Sequence, residues 1–226
     1  MKRRQFFKTG FVLIAAFAAS SKLTLVNAAE QTSNFVKDYK AKILEIIKNL
    51  KAEGTNLVAK IMNGKEYKFD PFTHYPYDGG IKDESTGYQL FFHAHREDEY
   101  GHFHTFATDD DGKLVHLVLI SMNEKGELIG LATVNRWVTG DKFVKADKLK
   151  QLASNFYMDP SLYKDQRVIQ FVNSVFKAYR NEIEAIFDER DKWINNYARK
   201  YYREPFEDRD HEILSHKKVI LADNSN

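Results

Sequence analysis

The chain has 226 residues, no cysteine and a formal net charge of +2 at neutral pH. Without a thiol it forms no disulfide and offers no thiolate to a metal or a substrate. Five cations (Lys2, Arg3, Arg4, Lys8 and Lys22) and no acid lie in residues 1–28, so the remainder carries −3; a mildly acidic chain of that length has room for one sizeable core and lacks the basic surface that nucleic acid requires.

Residues 1–28 read as a targeting segment. The run Arg3-Arg4-Gln5-Phe6-Phe7-Lys8 resembles the bacterial twin-arginine export signal. The apolar stretch Phe11 to Ala19 is too short to be a good membrane span, which needs about 20 apolar residues. Lys22 adds a positive charge after it, and Val26-Asn27-Ala28 offers a small-residue cleavage site. The expectation is a protein handed to the twin-arginine machinery, cleaved near Ala28 and released into the periplasm with no stable membrane anchor. Residues 29–226 are then a single domain. That route carries folded proteins, often with a cofactor already inserted.

The spacing of Phe35, Val36, Tyr39, Ile43, Ile46, Ile47 and Leu50 predicts a helix over 33–53, capped by Ser33 and ended by Gly54. A shorter helix is predicted over 56–62. Residues 64–87, with His74-Tyr-Pro-Tyr-Asp-Gly-Gly80, read as an irregular loop. Four strands follow, over 88–95, 102–108, 114–121 and 128–137, joined by links that include the turn sequences Asp109-Asp-Asp-Gly112 and Asn123-Glu-Lys-Gly126. Short links make an antiparallel meander the simplest topology. A helix over 144–157 and a long one over 166–202, broken near 188–191, complete the predicted elements, and residues 206–226 form a tail. The fold class is therefore α+β: a mainly antiparallel four-stranded sheet with helices packed on it and a long C-terminal helix.

The strands carry the chemistry. Four of the eight histidines fall in His93-Ala-His95-Arg-Glu-Asp-Glu-Tyr-Gly-His102-Phe-His104. Strand side chains alternate between faces, so both His-x-His pairs point one way if the arms fold into a hairpin. The tightest pairing sets His95 opposite His102 and His93 opposite His104. Leu90, Phe92 and Ala94 then face helices, together with Phe103 and Ala107. Phe91, His93 and His95 share the other face with His102, His104 and Phe106, and His116 joins it from the third strand, flanked by Leu114 and Val118. A nitrogen-rich patch of this kind binds a divalent transition metal. Three of His93, His95, His102, His104 and His116 would serve as ligands and the rest would support them. Neutral imidazoles suit zinc, the default, as well as iron, copper, nickel or manganese. Glu99 or Asp98 adds a carboxylate if the hairpin loop folds back. If the protein is an enzyme, an open coordination position would activate water or dioxygen.

Gly87-(x)5-His93-x-His95-(x)3-Glu99 resembles most of the first metal motif of cupins, but Phe106 stands where that motif ends in glycine. A second resemblance covers most of the chain beyond the targeting segment. His74-Tyr-Pro, Phe92-His-Ala-His-Arg96, Gly101-His-Phe-His-Thr-Phe106, Asn135-Arg-Trp-Val-Thr-Gly140 and Phe206-Glu-Asp-Arg209 are similar to blocks of an uncharacterised bacterial family, a domain of unknown function. The resemblance implies no established activity.

Arg96 and Arg136 flank the strand ends, where either can bind a carboxylate or phosphate of a small-molecule ligand bidentately or form an ordinary ion pair. They keep open an alternative: a non-enzymatic periplasmic binding protein that holds a small acidic ligand with arginine and histidine, without metal. Trp137 is expected in core packing, and His211 and His216 outside the site.

Overall fold

The computed structural model describes residues 31 and 33–221; the predicted targeting segment and cleavage site lie outside the described residues. Helix α1 (33–52) turns Ile43, Ile46 and Leu50 inward, at the spacing the sequence predicts. Helix α2 (Leu57–Met62) starts where the Asn56 side chain accepts from the Ala59 N–H. It stops at Asn63, which takes the left-handed conformation that asparagine tolerates.

Seven strands form one antiparallel sheet, not the four of the predicted meander: β1 (Asp70–Tyr75), β2 (Ile81–Asp83), β3 (Tyr88–Ala94), β4 (Gly101–Thr108), β5 (Leu114–Met122), β6 (Leu128–Val134) and β7 (Ile213–Lys218). The order is β1-β3-β4-β5-β6-β7, with β2 also pairing β3, so β1 and β2 occupy successive stretches of one edge of β3. The segment read as a loop thus holds two edge strands. Pro71 is tolerated at such an edge because it owes no ladder hydrogen bond there. The segment read as a tail holds the opposite edge, where Lys217 and Lys218 are exposed, as edge residues commonly are.

Helix α3 (Arg136–Thr139) is a single turn, followed by α4 (Ala146–Ser154), α5 (Arg167–Ala178) and α6 (Arg180–Tyr201). The long helix is interrupted at Tyr179, not at 188–191. That charged stretch stays helical because its polar groups find partners. Arg190 donates to the Val144 carbonyl at 2.6 Å, and Asp191 accepts from the Ala146 N–H at 2.8 Å, which supplies the N-terminal cap that α4 lacks. Among the described residues no helix is long and apolar enough to cross a membrane.

The helices cover one face of the sheet. Leu90, Phe92, Phe103, Ala107, Leu117 and Ile120 from the strands join Leu50, Ile61, Leu149, Phe171, Val175 and Phe187 from the helices in one apolar core. On the far face a small cluster of Leu119, Ala132 and Val134 flanks the histidines. A bulge between His104 and Phe106 of β4 and their partners on β5 alters the alternation there. The Thr105 hydroxyl fills the gap, donating to the Val118 carbonyl at 2.7 Å and accepting from the Val118 N–H at 3.1 Å. Leu119, not Val118, therefore shares the histidine face with His116.

Candidate metal centre

The β3–β4 hairpin pairs His93 with His102 and Phe91 with His104. The register is two residues from the tightest one, because residues 95–100 loop out between the strands. A two-residue shift preserves every facing, so the rings still converge. Gly101 fixes the turn into β4: an added Cβ would lie 2.3 Å from the Phe92 ring, which packs across it.

Ring nitrogens of His93, His95 and His102 lie within 4.8 Å of one another, close enough to share one ion. His93 and His102 are buried and His95 is half-buried, at the rim. Behind them the His104 Nε2 is 2.9 Å from the His93 Nε2 and 3.1 Å from the His102 Nε2. Its Nδ1 is 2.8 Å from the His116 Nε2. His74, from β1, adds a sixth ring with its centroid 5.4 Å from that of His93. The structure therefore brings together all five predicted histidines and one that was read as part of a loop.

The hairpin loop does fold back. The Glu99 side chain is 3% exposed, and its carboxyl group meets the His102 Nδ1. Ser121 is close enough to favour the Glu99 anion, and the Arg96 Nε lies 3.5 Å away. His216, which the sequence reading set aside, is close enough to Glu99 to favour its anion. Strand β7 brings it there, and Gly130 makes room: a Cβ on Gly130 would sit 2.9 Å from the His216 Nε2. No sequence signal marked His216, because its strand was not recognised.

Burial dominates the electrostatics. It drives His93 down to about 2 and His116 to about 4, and it holds His102 and His104 well below the usual imidazole range, with neighbouring rings adding to the effect at His93 and His104. Asp141 opposes the shift at His116, and also accepts from the backbone N–H of that residue at 2.9 Å. Burial raises the Glu99 carboxyl, against Ser121 and Arg96.

Neutral rings carry one proton each, and their packing restricts where each proton can sit. With its proton facing Glu99, His102 presents a lone pair at Nε2. If the His104 proton is on Nδ1, two lone pairs face each other at 3.1 Å. If it is on Nε2, that N–H faces the lone pairs of His102 and His93, and His93 carries its proton on Nδ1, toward the Pro71 backbone. The ring nitrogens of His93, His95 and His102, within 4.8 Å of one another, could hold one metal ion.

The two predicted ligand-binding arginines lie apart. Arg96 borders the site and pairs with Glu99 and, at 3.4 Å, with Glu212. Arg136 pairs with Glu207 at 2.5 Å and lies beside a cavity of about 20 Å³ lined also by His116 and Asp141, room for about one water. Its neighbour Asn135 is wholly buried and donates to the carbonyls of Pro205 and His211 at 2.9 and 3.0 Å. Trp137 donates to His211 at 3.2 Å beneath the Arg209 guanidinium. The Asn135 and Phe206 blocks thus dock on each other, and Asp141 connects that corner to His116.

The fold and site define an α+β domain with a buried histidine cluster on the sheet face away from the helices. The chain belongs to the family described as Domain of unknown function (DUF6969), which matches residues 37–219. No curated protein and no solved structure gave a significant match.

Proposed function

We propose that this protein is exported to the periplasm and binds one divalent transition metal through His93, His95 and His102, with zinc the first choice and iron, copper or manganese the alternatives. The observation that carries the reading is the convergence of three ring nitrogens within 4.8 Å on a largely buried patch of the sheet. Three protein ligands leave a fourth position for water or a small ligand, where a bound ion would act as a Lewis acid. His104 and His116 support the ligands from behind. The export part of the reading rests on Arg3-Arg4-Gln5-Phe6-Phe7-Lys8 and the apolar stretch after it. An acidic ligand held by arginines is the weaker reading, since Arg96 and Arg136 both already face carboxylates of the protein.

Metal analysis of protein purified from the periplasm without a polyhistidine tag tests this. Close to one equivalent of metal is expected, falling to background in the double substitution His93→Ala, His102→Ala. Unchanged metal content in a folded double variant would end the assignment.

A further inference from the structure

Among the described residues the carboxylate of Glu99 has partners only around the site, and its placement specifies a role. We infer that Glu99 is a positioning residue: it holds the ring proton of His102 on Nδ1, so that the Nε2 lone pair is presented to the metal, and it is not itself a ligand. The inference rests on the metal-binding reading above and deepens it.

Three observations support it. Glu99 contacts the Nδ1 of His102, while the Nε2 of the same ring lies 3.1 Å from the His104 Nε2, on the side away from the carboxyl group. A carboxylate accepting from one ring nitrogen fixes the tautomer and orientation of an imidazole that binds metal through the other, and makes it a stronger donor. Second, the carboxylate has its own supports. Ser121 stands opposite His102 in the β4–β5 register, so its hydroxyl shares that face and favours the Glu99 anion from the next strand. Arg96 bridges Glu99 and Glu212, tying the 95–100 loop to the residue before β7. Third, the metal-capable group among the described residues comprises His93, His95 and His102 without Glu99, which places the carboxylate one layer out.

Two measurements on the purified protein test the inference. Nitrogen-15 spectra of the metal-free protein distinguish the two ring tautomers. His102 is expected as the Nδ1–H form alone in the wild type and as a mixture, or the Nε2–H form, in Glu99→Gln. Zinc and cobalt titrations should then show Glu99→Gln binding about 10- to 100-fold more weakly. Its cobalt absorption bands should shift, with thermal stability of the metal-free form close to wild type. Ser121→Ala should weaken binding less and keep the wild-type tautomer. A wild-type His102 carrying its proton on Nε2, or a folded Glu99→Gln variant with wild-type affinity, overturns the inference. If the wild type takes up no metal, the functional reading falls, and the tautomer spectra alone then decide whether Glu99 orients His102.

Discussion

The two faces of the sheet are made from the same strands, residue by residue in alternation, yet they bury opposite chemistry. Phe103 points into the helix-covered core between two neighbours, His102 and His104, that point away from it; all three are fully or almost fully buried. One face gains by removing carbon from water. The other removes ring nitrogens from water and meets their needs incompletely, which is costly unless something pairs with them. The contrast separates stabilising residues from functional ones without reference to any relative. A face that is buried at an energetic cost is the one to examine for a ligand.

Acid should expose the difference most strongly. His93 and His116 have folded values of about 2 and about 4, below the ordinary 6.5. Above pH 6.5 neither state holds these protons, so they contribute nothing. Below it the unfolded chain takes them up and the folded chain does not, so stability falls as pH drops from about 6.5 toward 4. Each ring costs about 1.4 kcal/mol per pH unit, several kcal/mol in all by about pH 4.5. Urea titrations across that range should show the decline, and added zinc should offset it at the neutral end. A flat profile would mean that the rings are not held neutral.

Breaking the other face should act differently. Phe103→Ala leaves a cavity in the core and should cost about 3–5 kcal/mol by denaturant unfolding, while the folded fraction keeps its metal. Selective loss of metal would contradict the separation of the two faces. The smallest effect is expected at the sheet's far corner. The Arg136–Glu207 pair is exposed, so Arg136→Ala should change stability by less than about 1 kcal/mol and leave metal binding unaltered.

The histidine face was legible from alternation alone, because a strand period of two assigns faces whatever the pairing. The register was not, since it depends on how many residues the 95–100 loop takes up. Strands β3 to β6 were evident from their apolar runs. The edge strands escaped notice for a shared reason: an edge carries proline, lysine and exposed side chains, as at Pro71, Phe72 and Lys217, and so resembles a loop. His74 and His216 were missed with the strands that carry them. Glu99 was anticipated only as a conditional carboxylate, since a side chain in a loop has no periodicity to announce its direction. The interruption at Tyr179 has no marker in the sequence; no proline or glycine stands there.

Chain order gives Arg96 and Gly130 a further meaning. The three candidate ligands sit on one hairpin, whereas the partners that Arg96 and Gly130 serve, Glu212 and His216, come from much later in the chain. The three rings are therefore brought together by a short local loop, whose closure costs little entropy, while β7 beside them is recruited across the intervening helices of the chain.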